Sequence, residues 1–413
     1  MTTPYWRIIE SRGRRGLEDL EADWRRLYAR MPLRTSFLSY EACLAHVDTY
    51  MQDPDELRCL ALTDGRQVRG ICLLEPSITG MLDFEGKCRA LLRLPPRDLS
   101  ARRSRRGGRR SGLHQVWGVL WQWHSRQADV LCADDEARRA FIPLLAAHLR
   151  RAPEGRPLLV VGPAPADSAL WDGFRRLPRH SYHLERRESV NSLPCTRPFD
   201  EVKASLPRRF RQDLNRASRR LAQLQDVHLQ TYTAADGLDT VLDDFLAVEA
   251  SGWKGASGAK SAIVCDARSL AFVRALTRDL RHPDDSCEID ALYAEGRCIA
   301  ASLGTRTGAT YSALKIGYDE AYRRVSPGQI VVEHAVERCC ADPAIERLDM
   351  VSDASWVRGW RPDLIPLQIG YVVIARWPAY ALVAGLLRLR VGLGRRIAGR
   401  LRVTAQPPGE QAP

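Results

Sequence analysis

Residues 309–337 read ATYSALKIGYDEAYRRVSPGQIVVEHAVE, and the rest of the chain is best read outward from them. Ala309 to Ile316 carries the β-branched and aromatic residues of a strand. Gly317-Tyr318-Asp319-Glu320 then turns the chain toward a basic pair, Arg323 and Arg324. Ser326-Pro327-Gly328 leads into a run of helix formers. Ser before Pro predicts an N-cap and a first-turn proline, because the N–H that proline lacks would have had no intrahelical partner. Free N–H groups at that helix start, its positive dipole end and two arginines suit a phosphate or pyrophosphate. Taken alone, the stretch is better read as an ordinary capped helix after a strand, so its neighbours must decide.

Immediately upstream, Ile289 to Ala294, Cys298 to Thr305 and Ala309 to Ile316 form three strand patterns. They are joined at Glu295-Gly296 and Thr307-Gly308, which predicts an antiparallel meander. Before them come three helical patterns. The first has Ser205 as cap and Pro207 in its first turn. Leu206, Phe210, Leu214, Leu221 and Leu224 recur on one side of it, and Arg208, Arg209, Arg211, Arg216, Arg219 and Arg220 occupy the other. The second runs from Leu238 to Val248 and stops at Gly252, ahead of Trp253-Lys254-Gly255. Asp266 caps the third, which ends at Leu280. Downstream, Ile345 to Val351 and Leu367 to Ile374 read as strands, the latter closing the sheet.

The first half also mixes strands and helices, an α+β arrangement. Strands are expected at Tyr5 to Glu10, Leu57 to Thr63, Val68 to Leu74, Cys88 to Leu94, Ala128 to Cys132, Leu158 to Val161 and His183 to Glu185. Asp64-Gly65 predicts a hairpin between the second and third of these. Helices are expected over Leu17 to Leu27, Phe37 to Val47, Asp134 to Leu149 and Ser168 to Phe174. Trp117, Trp121 and Trp123 read as core aromatics. An arginine-dense run, 95–112, reads as a solvated loop in which like charges repel. It lacks the interleaved aromatics of a nucleic-acid surface, which counts against that partner without removing it.

At 413 residues the chain is too long for one ordinary core. Its 45% hydrophobic and 27% charged content excludes disordered and fibrous classes. A formal charge of +12 points to an anionic partner. The eleven cysteines lack framework or metal-ligand spacing, which argues for a reducing compartment and against structural zinc. The N-terminus lacks a signal peptide's apolar centre, and no apolar run is long enough to span a bilayer. A cytoplasmic location is expected. From Pro378 to Arg402, leucines alternate with arginines. That pattern suits either a helix lying on an anionic inner-membrane surface or one packed on the domain. Residues beyond Ala405 are expected to be disordered.

The ordered motifs Leu206-Pro207-Arg208-Arg209-Phe210-Arg211, Gly252-Trp253-Lys254-Gly255, Lys315-Ile316-Gly317-Tyr318-Asp319-Glu320 and Ser326-Pro327-Gly328 resemble the GNAT acyltransferases. Within that superfamily they are similar to the CelD/BcsL-type family associated with bacterial cellulose and exopolysaccharide biosynthesis. The resemblance covers roughly residues 195 to 376. It implies two tandem GNAT-like domains, each a mixed, mostly antiparallel sheet flanked by helices. The expected division is a degenerate first domain over 1–190, a GNAT acyltransferase domain over 191–377, and a basic tail over 378–413.

The resemblance further implies acetyl-CoA, or another acyl-CoA, as donor, with no metal. Its pyrophosphate would lie on Ser326, Pro327, Gly328 and Gln329, beside Arg323 and Arg324. An amine or hydroxyl of a sugar or polysaccharide precursor would attack the thioester directly, with a backbone N–H between Ile316 and Tyr318 meeting the oxyanion. Glu249, Asp319, Asp349 and Asp353 are candidate bases, Tyr318 a candidate acid, and Trp253, Lys254 and Asp353 candidate acceptor contacts. Structural roles compete for several of them. Glu249 suits an ion pair with Lys254 or an arginine, Asp319 a turn cap, and His334 a core position. One departure stands out. Where relatives carry a glycine-bearing segment, an acid and an aromatic-lysine pair, this chain has Asp349-Met350-Val351-Ser352-Asp353-Ala354-Ser355-Trp356-Val357, with valine in the lysine's place. Two rival readings therefore stand beside acyl-CoA transfer: a Fem-type transferase using aminoacyl-tRNA, and a non-catalytic accessory protein of polysaccharide assembly.

Overall fold

The meander expected from the turn residues forms as β9 (Asp285–Ala294), β10 (Arg297–Thr307) and β11 (Thr310–Tyr318). Glu295 and Gly296, both at positive φ, make the first tight turn. A computed structural model of the chain describes residues 5–31, 34–78, 115–120, 128–152, 154–280, 282, 284–350 and 355–389. The strand expected at 88–94, the arginine-rich run, Trp121, Trp123, Asp353 and residues 390–413 lie outside the described residues.

Before the meander come β1 (Arg7–Arg12), α1 (Gly13–Glu18), α2 (Glu21–Tyr28), α3 (Tyr40–Tyr50), β2 (Arg58–Thr63), β3 (Val68–Ile78), β4 (Gln115–Val119), β5 (Leu131–Cys132), α4 (Asp135–Arg151), β6 (Leu158–Pro165), α5 (Leu170–Arg175) and β7 (Tyr182–Pro194). Next are α6 (Phe199–Ser205), α7 (Arg208–Leu221), β8 (His228–Tyr232), α8 (Leu238–Ala250) and α9 (Ala267–Asp279). The chain continues from β11 into α10 (Pro327–Ala341), β12 (Arg347–Met350), β13 (Asp363–Val373) and a last helix, α11 (379–389).

The strands join in one mixed sheet of order β1-β2-β3-β4-β6-β13-β7-β12-β11-β10-β9-β8, with β5 beside β3. A pattern recurs along it. The strands β2, β3 and β4 form a meander, and α4 crosses over to β6, which pairs parallel with β4. Likewise β9, β10 and β11 form a meander, and α10 crosses over to β12, which pairs parallel with β11. This repetition gives the mixed α/β architecture its tandem character.

Three sequence expectations need correction. The strand at the end of the chain does not close the second half at an edge: β13 sits inside the sheet, antiparallel to both β6 and β7. Ser205 is not a cap but the last residue of α6, its hydroxyl donating to Val202 O, and α7 starts after Pro207. The helix expected over Leu17 to Leu27 is broken into α1 and α2. By contrast, Asp266 caps α9 by accepting from Ser269 N–H.

Helices cover both faces. The α4–α5 pair packs on one side of β2, β3, β4 and β6, around Phe141, Trp171, Phe174 and Trp117. On the other side α1, α2 and α3 cover Cys59, Ile71 and Leu73. In the second half α8 and α9 cover Ile289, Ala291 and Leu303, while α7 and α10 cover the opposite face. Phe37 and α3 reach across to α9, where the Phe37 and Phe272 rings stack 6.3 Å apart. Burying each phenylalanine contributes on the order of 2–3 kcal/mol, against about 0–1 kcal/mol for an ion pair with one exposed partner such as Arg34–Asp284. Apolar contact and the hydrogen bonds of the continuous sheet, more than exposed ion pairs, hold the two halves together.

Candidate active site

The described pairing of β11 with β12 covers Thr310–Ala313 against Arg347–Met350. Among the described residues, no strand lies beside Leu314–Tyr318 on that side. Asp319 N–H donates to Ile299 O at 2.8 Å, and the register sets Gly317 opposite Ala301 and Lys315 opposite Leu303. Antiparallel alternation therefore turns the backbone groups of Lys315 and Gly317 toward β10, and those of Ile316 and Tyr318 toward the open side. Among the described residues no strand pairs with these outward amides and carbonyls, and Ile316 O accepts from Lys254 Nζ instead.

Helix α10 begins at this opening. A Cβ built at Gly328 would meet the Tyr318 ring at 3.4 Å and Ile316 at 3.9 Å. Ser326 precedes the helix at φ 52, in the left-handed region, and makes no side-chain cap. The expected hydroxyl cap is therefore absent, because that backbone conformation is not the extended one from which a serine Oγ reaches back. Ser326 N–H donates to Arg323 O and Gln329 N–H to Ser326 O. Pro327 has no N–H, so Gly328 supplies the helix start's remaining donor. Arg323 and Arg324 are exposed beside it, and Arg220 of α7 donates to Arg324 O at 2.8 Å. The first turn of α10 holds no acid. The corresponding helix of the first half differs: Asp134 caps α4 by accepting from Ala137 N–H, and Asp135 and Glu136 fill its first turn. Of the two crossover helices, α10 alone is built to receive an anion.

The α8 side of the opening carries the other candidates. Glu249 is 2% exposed. Its Oε2 accepts from Ile263 N–H at 2.8 Å and its Oε1 faces Lys315 Nζ at 3.1 Å. Gly317 packs directly on it, leaving no room for a Cβ, which would lie 2.5 Å from Glu249 Cα. Lys254 Nζ donates to Ile316 O at 2.5 Å, on the unpaired edge. Burial pulls the Lys254 pKa below the usual lysine value; Glu249 opposes that shift and Lys315 adds to it. Glu320 accepts from Trp253 N–H and so ties the 252–255 turn to the end of β11, with Trp253 itself 57% exposed.

The structure thus brings Glu249, Trp253, Lys254, Tyr318, Arg323, Arg324, Ser326, Pro327, Gly328 and Gln329 around one opening. Asp319 stands at its rim, accepting from Ala321 N–H as a turn cap. Asp349 is farther away. It lies opposite Ser312, four residues before Ile316, or about 13 Å along the strand. Its carboxyl accepts from Ser192 Oγ at 2.6 Å. Burial raises its pKa above the ordinary aspartate value, opposed by Arg347 and Ser192. Val357 is buried among Trp360, Leu206 and Met350. His334 joins a polar cluster with Thr231 and Asp290. Lys315 and Glu320 stand at the two ends of a motif read from the sequence but were given no role at the site. The alternation of β11 could have pointed Lys315 toward α8; for Glu320 the turn pattern gave its place but not its partner, Trp253 N–H. Among the described residues, no group of three or more His, Cys, Asp or Glu is arranged to hold a metal ion, and no helix is long and apolar enough to cross a membrane.

Residues 208–356 match the family model described as acetyltransferase (GNAT) domain, and the chain is an enzyme of the acyltransferase class, whose donor is in general an acyl-CoA. Among solved structures the chain is similar to FemX, at 11% identity over 88% of this chain and 98% of that one, with a TM-score of 0.55. It is also similar to a conserved protein of unknown function from Bacteroides thetaiotaomicron, at 10% identity over 85% and 97%, with a TM-score of 0.51. A tandem GNAT protein from the clavulanic acid biosynthesis pathway aligns at 12% identity over 90% and 99%, with a TM-score of 0.45. At such identities the likeness is one of fold. No curated protein matches the chain.

Proposed function

We propose that the chain is an acyl-CoA-dependent N- or O-acyltransferase of the CelD/BcsL type, acting on a sugar or polysaccharide precursor by direct transfer from the thioester. One observation supports this reading: among the described residues, no strand lies beside Leu314–Tyr318 of β11, and that edge faces a helix start with no acid in its first turn and two exposed arginines. In this scheme Arg323, Arg324 and Gly328 hold the pyrophosphate, and the Ile316 and Tyr318 amides polarise the thioester oxygen. Both oxygens of Glu249 face donors, so it positions Lys315 and the 252–263 loop. Proton transfer then falls to groups at the gap: Lys254, once deprotonated, as base toward the acceptor, and the Tyr318 hydroxyl as acid toward the departing thiolate. Trp253, exposed beside Lys254, offers a flat face to a sugar ring.

Calorimetry with acetyl-CoA, followed by thiol release against amino-sugar and sugar-hydroxyl acceptors, tests the proposal. Arg324→Ala should weaken acetyl-CoA about three- to tenfold, a charge-assisted contact discounted for exposure. Unchanged affinity removes Arg324 from the site, and no acetyl-CoA binding at all removes the reading. A second reading, an aminoacyl-tRNA donor as in Fem-type enzymes, draws on the exposed arginines of α7 (Arg208, Arg209, Arg216 and Arg219), the helix whose Arg220 donates to Arg324 O. Salt-sensitive tRNA binding without acetyl-CoA binding would favour it. Binding of neither would favour the accessory-protein role suggested by Val357.

A further inference from the structure

The last described helix, α11, reads AYALVAGLLRL, and no acidic residue occurs between Asp363 and Glu410. One side of α11, Tyr380, Val383, Ala384 and Leu387, packs on Val116, Leu158, Tyr371 and Val373, on the sheet face opposite α4 and α5. The other side is also apolar. Leu382 is 58% exposed and Leu389 60% exposed, with the part-buried Leu386 between them at helical spacing. Trp377, 79% exposed, stands just before the first turn. A helix on a water-facing surface normally turns polar residues outward, and an outward apolar stripe needs a cover. The two readings the sequence left open, packing on the domain or lying on a membrane, therefore describe two sides of one helix.

We propose that the outward side of α11, with Trp377, docks on an anionic lipid bilayer surface. Charge selects this occupant. Seven arginines, Arg376, Arg388, Arg390, Arg395, Arg396, Arg400 and Arg402, fall within 376–402 and have no acidic neighbour in sequence. A second copy of the chain would set the same arginines against these, whereas anionic headgroups match them, and the leucines and the indole enter the acyl boundary. The apolar run after Arg376 is interrupted at Arg388 and Arg390 and is too short to cross a bilayer, so the helix lies in the interface plane.

The test is cosedimentation of the full chain with vesicles of phosphatidylcholine alone and of phosphatidylcholine with phosphatidylglycerol. Binding is expected to the anionic vesicles, to weaken with salt, and to fall about tenfold or more in L382E/L389E. A second variant, R388E/R390E, removes charge without touching the apolar stripe and should give a comparable loss. Thermal melting of both variants checks that the fold is kept. The proposal is overturned by equal binding to neutral vesicles, by no binding to either, or by wild-type binding in L382E/L389E. It is also overturned if sedimentation equilibrium shows a dimer that this variant dissociates. Acyl-CoA plays no part in the measurement, so its outcome stands apart from the acyltransferase reading.

Discussion

Replacing Lys315 by methionine tests the clamp beneath the opening. Glu249 is 2% exposed, with one oxygen on Ile263 N–H at 2.8 Å and the other 3.1 Å from Lys315 Nζ. Methionine fills similar space but leaves the carboxylate without its ion partner. Breaking a buried pair from one side costs about 3–5 kcal/mol, because the remaining charge stays desolvated. Lys254 remains close enough to interact electrostatically with Glu249, which places the expected loss near the lower end, about 3 kcal/mol. Lys315 also donates to Ser261 O at 2.6 Å, so hydrogen exchange should quicken first across residues 251–266. Urea unfolding followed by circular dichroism measures the loss. Adding Glu249→Gln to the same chain removes the stranded charge and should restore most of it, leaving about 1 kcal/mol. The reasoning fails if Lys315→Met lies within about 0.5 kcal/mol of wild type, or if the double variant is as unstable as the two single losses added together.

Gly328→Asp places a carboxylate at the start of α10, where the side chain meets the Tyr318 ring at ordinary contact distance. It should leave stability level or slightly raised, yet weaken acetyl-CoA binding at least about tenfold, as calorimetry would record, because the new charge satisfies the helix start that a phosphate would occupy. Asp349→Asn addresses pH. The folded chain holds the Asp349 proton more tightly than the unfolded chain does, so wild-type stability falls as pH rises from the ordinary aspartate value through the raised one. Asparagine does not titrate. The stability of Asp349→Asn relative to wild type should therefore increase over that window, as urea midpoints at stepped pH would reveal; a constant difference would contradict the burial argument.

Much of the second half could be read from local pattern. The turns at Glu295-Gly296 and Thr307-Gly308, the three strands they join, the Asp266 cap and the helix after Pro327 rest on backbone preferences within a few residues. The cap expected at Ser326 did not form because the same serine takes a left-handed turn, which short-range preference alone does not forbid. The long polar strand β7 was expected only near His183 to Glu185. Its register is set by β13 and β12 on either side, and not by an alternation of its own.

The sequence by itself determined the meander and the helix after it, the basic helix α7 and which helix start lacks acids, since each is a property of neighbouring residues; the strands β4 and β8 were not among its expectations. Only the tertiary structure decided what meets at the opening. Lys254 reaches Ile316 across 62 positions, and Lys315 pairs with Glu249 because Gly317 lets β11 pass against α8. Among the described residues β12 accompanies β11 from Thr310 to Ala313, and α10 begins beside the remainder of β11. Such contacts depend on where strand edges end and how closely a helix crosses them, and those distances are fixed by the packing of the whole sheet.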